Sequence, residues 1–323
     1  MCSVFRGVLC LLTLAWAFGA IYFDGPLQRG SGNLTLAIIW TVITLALLVV
    51  IRGGWKRFAI WLTAMAIVVG PWLTIHPSND RDWKPGWAEV GWAELDGDTV
   101  TFHNFRNFDY SVAGDVTERW ETKTVHLSNL QGLDYFHVAF GGKLLAHPVF
   151  SFELGEDGRV ALSIETRREK HEGFSALGGL YKMFELQYLF GDERDLIRMR
   201  ASRGEPIFLY RTNFAKERVL ESFLDSVETL NGLKERPRWY NVVTANCTTS
   251  VRAQTPVAKR SKFDYRMLVN GMLDELSYER GVFVTGGLPF AELKGMSLIN
   301  EKAKAAHDLP DFSAAIRDGL PGS

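Results

Sequence analysis

The stretch "LLAHPVFSFELGEDGRVALSIETR" spans residues 144–167. Two runs rich in aromatic and β-branched residues flank a Gly155–Gly158 turn, which reads as two β-strands and their connection. The first run places His147 among apolar residues, and the second carries Glu165. If the strands pair, a carboxylate stands ready to orient an imidazole. The plainer reading is a hydrogen-bonded core histidine and a glutamate ion-paired to Arg167 or Arg168.

More strands are expected on either side. "DGDTVTFHNFRNFDY" (96–110), Glu118–Leu127, "LDYFHVAF" (133–140), "DLIRMRAS" (195–202) and "PIFLYRTN" (206–213) all carry strand-like patterns. Helical spacing is read in Phe174–Phe190 and over 261–276. It is clearest in Ala215–Leu233, where Val219, Leu220, Phe223, Leu224, Val227 and Leu230 share a face and Asn213 is placed to cap. The charge runs "ETRREKHE" (165–172) and "DERD" (192–195) read as solvated turns, the first also suited to lipid headgroups. The fold class is α+β, with an antiparallel sheet built mainly from residues 98–213.

The first 76 residues are of another kind. Gly7–Phe23, Gly30–Ile51 and Phe58–Ile75 are charge-free, and each has about the length that crosses a bilayer as a helix. Arg52–Arg57 carries three positive charges, whereas Asp24–Arg29 nets zero. The positive-inside rule puts Arg52–Arg57 in the cytoplasm and sends the chain beyond the third helix to the outer face. "AWAFGA" also fits a cleaved signal peptide, which leaves that outcome unchanged. Trp55, Trp72, Trp83, Trp87 and Trp92 fall near helix ends, where such rings favour the headgroup layer. The expected organisation is a three-helix membrane anchor at 1–78, a tether at 79–97 and a periplasmic domain at 98–323. With 36 basic and 37 acidic residues, the chain gives no reason to expect a nucleic-acid partner.

Cys247 is the sole cysteine beyond residue 10; Cys2 and Cys10 lie at or in the first apolar helix. Neither Cys2 nor Cys10 follows an apolar run ending in a small residue, so lipid modification is not expected there. "NCTTS" precedes a helix expected over Thr248–Gln254, whose amino-terminal end would stabilise a thiolate at Cys247. Arg236 and Arg238 add positive charge upstream. The default for a lone cysteine is a buried, inert side chain. A nucleophile needs a base, and His103, His126, His137, His147, His171 and His307 are available. No HExxH, CxxC or close His/Asp cluster points to a metal, and no cofactor is expected.

Several separate stretches share one resemblance: "GDTVTFHNFRNFDY", "WETKTVHLSNLQGLDYF", "LLAHPVFSFEL", "LSIETRREKHEGFSALGGLYKMFELQYLFGDERDLIRMR" and "RPRWYNVVTANCTTSV". Over nearly all of residues 90–255 the chain resembles the Lnb-type amino-terminal periplasmic domain family, named for a bacterial lipoprotein N-acyltransferase. That family resembles circularly permuted NlpC-like and papain-like thiol enzymes, in which the histidine strand precedes an "NC" helix. His147 precedes Asn246-Cys247 in that order. The resemblance implies Cys247 as nucleophile, His147 as base and Glu165 as orienting residue. In such a mechanism the backbone N–H at Cys247, with a side chain such as Asn246 or Tyr240, would stabilise the oxyanion.

The resulting expectation is a bacterial inner-membrane, multi-pass protein with a permuted papain-like periplasmic domain. It would transfer or hydrolyse acyl groups on a membrane lipid or lipoprotein substrate. A cysteine peptidase or amidase of cell-wall peptide, or a non-catalytic envelope scaffold, are the alternatives. Oligomeric state is not readable from the sequence.

Overall fold

The computed structural model describes residues 2–27, 30–111, 115–140, 144–245 and 262–322. Two compact units emerge. One comprises Met1–Ser78, Gly173–Glu185 and Trp239–Asn241; the other comprises Asn79–Glu172, Leu186–Arg238 and Val242–Ser323.

The first unit is built on α1 (Cys2–Asp24), α2 (Ser31–Val50) and α3 (Gly54–Leu73), all long and apolar enough to cross a membrane. Lys56 and Arg57, read as part of the second connection, belong instead to the first turn of α3. The connection is tight because Gly53 adopts φ 106°, a backbone state open to glycine. Two indoles hold α1 and α3 side by side. Trp61 Nε1 donates to Thr13 Oγ1 at 3.0 Å, and Trp72 Nε1 donates to Asp24 Oδ2 at 2.7 Å. Thr13 and Asp24 lie about three helical turns apart, as do Trp61 and Trp72, so each pair shares one face and the two helices run parallel. Buried Asn33 secures the first connection by accepting from Leu27 N and donating to Gly25 O.

The second unit is organised around a sheet of β1 (Trp92–Asp96), β2 (Thr99–Arg106), β5 (Trp120–His126), β6 (Gly132–Ala139), β7 (Ala146–Glu153), β8 (Arg159–Arg167), β9 (Glu185–Gly191) and β10 (Ile207–Arg211). Its order is β1-β2-β9-β8-β7-β6-β10, with β5 also on β2; β3 (Asp109–Tyr110) and β4 (Val116–Thr117) form a separate ribbon. The expected sheet was wholly antiparallel, and the observed one is mixed. Parallel pairing joins Arg106 of β2 to Gly191 of β9. A Cβ on Gly191 would lie 2.7 Å from Arg106 O, so this approach requires glycine. Residues 79–97 include a 3-10 turn at Pro85–Trp87 as well as β1.

The stretch "DLIRMRAS", expected as a strand, lies in the helix α4 (Glu193–Ser202). Asp192 caps it by accepting from Arg194 N, and Glu193 and Asp195 stand in its first turn, so "DERD" is a helix start rather than a turn. Leu196, Ile197 and Ala201 pack with Phe136, Val138, Val149, Ala161, Leu189 and Leu209 of the sheet. The opposite error falls on Phe174–Phe190. Gly178 and Gly179 interrupt the helical spacing, leaving a 3-10 turn at Gly178–Leu180 followed by β9. Ala215–Leu233 is helical as expected, in α5 (Lys216–Glu235). Its cap position is Ala215, and Asn213 donates to Gly281 O instead. The helix expected over 261–276 is, among the described residues, two 3-10 turns followed by Leu273–Glu279.

Candidate functional site

Strands β7 and β8 pair antiparallel in a register running from Val149–Ser163 to Glu153–Arg159. His147 and Glu165 extend just past the Val149–Ser163 end of that ladder. His147 Nε2 lies 3.4 Å from Glu165 Oε1. Their side chains are 15% and 10% exposed, so the pair is sheltered but reachable.

Ser163, which the sequence reading did not single out, sits between them. Its hydroxyl lies 2.6 Å from His147 Nε2 and donates to Glu165 Oε1 at 2.7 Å. A hydroxyl has one proton, and an ionised carboxylate can only accept. The Ser163 proton is therefore committed to Glu165, and His147 Nε2 must carry its own proton and donate to Ser163. That fixes the tautomer and leaves Nδ1 as the basic nitrogen. Among the described residues Nδ1 has no hydrogen-bond partner.

Arg200, also missed, completes the group. Its Nη2 donates to Glu165 Oε1 at 2.7 Å and to Ser163 Oγ at 3.1 Å. It stands on α4 one turn beyond Leu196, on the face that meets the sheet. Arg167 and Arg168, the partners first expected for Glu165, are engaged with Trp87 and Trp83. Arg167 donates to Trp87 O and packs over the Trp83 ring, and Arg168 packs over the Trp87 ring. Burial and then the Arg200 charge hold the His147 imidazole neutral to below its ordinary range. Burial works against ionisation of Glu165, but His147, Arg200 and the Ser163 hydroxyl outweigh it and hold the carboxyl well below its usual value.

The other histidines are placed differently. His137 is fully buried, with Tyr135 on one nitrogen and Asp274 3.9 Å from the other. His103 stacks on Trp92, and His126 bonds to Asp157 at the surface. His307 meets Arg198 and Tyr110 O, and His171 lies 3.9 Å from Glu169. Asn246, Cys247 and the helix expected at Thr248–Gln254 lie outside the described residues. Tyr240 belongs to the unit of the three helices, where its N–H donates to Phe184 O. Beyond residue 261 the chain returns to the histidine strand: Asn270 Oδ1 accepts from Ala146 N at 2.9 Å, and Gly271 N donates to Leu144 O.

A second charged cluster lies elsewhere on the sheet. Asp134 of β6 accepts from Arg159, Arg211 and Arg317, and Glu193 of α4 accepts from Arg317 and Ser151. Arg211 also bonds Glu153. These groups line or adjoin a cavity of about 710 Å³ whose lining includes neither His147 nor Glu165.

Three long apolar helices and a mixed α+β domain carrying a sheltered imidazole–hydroxyl–carboxylate chain define a membrane protein with an appended globular domain. Residues 116–271 match the family model of the Lnb N-terminal periplasmic domain, the family the sequence motifs resemble, so this stretch is a domain of that family. No curated protein and no solved structure matches the chain.

Proposed function

We propose that this is a multi-pass protein of the bacterial inner membrane whose periplasmic domain moves acyl groups through Cys247. The observation that carries this reading is the Ser163–Glu165–Arg200 arrangement around His147, which sets one tautomer, while burial and the Arg200 charge keep the base neutral against the pull of Glu165. The order of His147 before Asn246-Cys247 and the return of residues 270–271 to the histidine strand support it further. In this mechanism His147 Nδ1 takes the thiol proton. The thiolate attacks the ester carbonyl of a membrane lipid. A C–S bond forms, the C–O ester bond breaks, and the imidazolium proton passes to the departing alkoxide. The amine of a lipoprotein, or water, then attacks the thioester while His147 takes its proton; a C–N or C–O bond forms, the C–S bond breaks, and that proton returns to the Cys247 sulfur. Backbone N–H at Cys247, with Asn246, would stabilise the oxyanion. A permuted papain-like fold is part of the same proposal.

Purified full-length protein incubated with phospholipid vesicles should gain the mass of one fatty acyl group on Cys247. Cys247→Ser should gain none. Wild type that remains unmodified but cleaves cell-wall peptide would favour the peptidase reading, and inertness toward both would favour a scaffold.

A further inference from the structure

The segment Gly173–Glu185 runs from beyond β8 to the first residue of β9, yet it packs within the unit built on α1, α2 and α3. Tyr181 anchors it. The Tyr181 ring stacks on Phe23 with centroids 5.1 Å apart and tilts against Trp16 at 6.5 Å. Gly19 makes the space: a Cβ there would lie 1.9 Å from the Tyr181 hydroxyl. Lys182 adds polar attachment. Its backbone N–H donates to Asp24 Oδ2 at 3.0 Å, and its ammonium donates to Trp72 O at 2.7 Å and Ile75 O at 2.9 Å. The ammonium also lies 4.1 Å from the Trp72 ring centroid. Carbonyls at a helix carboxyl end lack partners within the helix, and Lys182 supplies them at the end of α3. The segment is thereby fixed at the level where α1 and α3 terminate.

Its exposed side is apolar. Phe174 is 50% exposed, Leu177 66% and Leu180 42%. From Gly173 to Phe184 there is no acidic residue, and Lys182 is the one charged side chain. So many large apolar groups exposed in a short stretch mark an interaction surface rather than an ordinary loop. The same helices expose leucine, isoleucine and valine along their length, which is how a lipid-facing surface reads. Trp16, Trp72, Tyr181 and a lysine gathered at one helix end are the side chains that settle at headgroup depth.

We propose that Gly173–Phe184 is an interfacial segment whose Phe174, Leu177 and Leu180 enter the acyl-chain region of the leaflet where α1 and α3 end. Phospholipid is the occupant because the patch is continuous, through Tyr181, Phe23 and Trp16, with helices that lipid must surround. The inference stands apart from the thiol chemistry.

The test uses the full-length chain with its three cysteines replaced by serine and a nitroxide at Leu177→Cys or Phe174→Cys. It is reconstituted in vesicles of phosphatidylethanolamine and phosphatidylglycerol. Collisions with oxygen should exceed those with a water-soluble nickel chelate, as at Ile39→Cys on α2. Nickel dominating at position 177 would overturn the proposal, and so would strong label–label broadening at high dilution in lipid, which would mean a second copy covers the patch. Gly19→Leu, which displaces Tyr181, should raise nickel collisions at 177 several-fold; no change would refute the anchoring. In the otherwise native chain, a photoreactive residue at 177 should crosslink to phospholipid, and crosslinking to protein alone would count against it.

Discussion

At the residue scale, the reading turns on how one proton is allotted. Ser163 donates its one hydrogen bond to Glu165, so His147 presents Nδ1. Cys247→Ser and His147→Ala should each abolish acyl transfer, and the double variant should be no worse than either, because the two act as one unit. Ser163→Ala removes a charge-assisted contact and should lower kcat/KM by roughly ten- to a hundredfold while the domain keeps its melting temperature within a few degrees. Full activity in Ser163→Ala would end the tautomer argument. The pH profile is a separate check. With His147 held below its ordinary value by burial and Arg200, the acidic limb of kcat/KM should fall below pH 6.5. Arg200→Met removes the charge that disfavours imidazolium, so the limb should move to higher pH; Arg200→Lys should hold it nearer its original place. His147 and Glu165 were legible because period-two strands joined by a short glycine turn bring such positions together. Arg200 was not, because its carrier, α4, was read as a strand.

That misreading belongs to the element scale. In "DERDLIRMRAS" the apolar residues Leu196, Ile197 and Met199 fit a half-buried strand as well as a helix face. The deciding signal was the Asp192 cap with acids following it, a local electrostatic cue outweighed by pattern. Asp192→Ala should destabilise the domain by about 1 kcal/mol, seen as a fall in Tm of about 3 °C. A larger loss of activity than of stability would mean that α4 also sets Arg200. The membrane helices were readable from length and composition alone, since no other element needs so many consecutive apolar residues. Residues 174–190 were not, since their apolar spacing continues across glycines that break the helix, and β9 is buried along its whole length.

For the whole molecule, buried Glu193 contributes to behaviour in acid. Burial opposes ionisation of Glu193, but Arg317 overcomes this and lowers its pKa to about 2. A carboxylate whose folded value is depressed adds stability above its unfolded value. That contribution is lost as pH falls from 4.5 toward about 2. It is on the order of 3 kcal/mol. Thermal melts should drop steeply over that window. Glu193→Gln should melt lower at neutral pH and show a shallower decline in acid, and an unchanged acid slope would refute the assignment. The cluster was invisible in the sequence because its members come from four strands, α4 and the last residues of the chain.

The span of those ion pairs has a further consequence, for the timing of synthesis. Arg317 reaches Asp134 across 183 residues and Glu193 across 124. Until residue 317 has emerged and crossed the bilayer, buried Glu193 lacks its guanidinium partner, whereas Asp134 can already pair with Arg159 and Arg211. A nascent chain therefore gains little by closing its sheet early, because an unpaired buried charge is costly. Closure around Glu193 is expected to complete only once Arg317 arrives. Protease resistance in a pulse–chase experiment should accordingly rise after full-length chains accumulate, not in step with elongation.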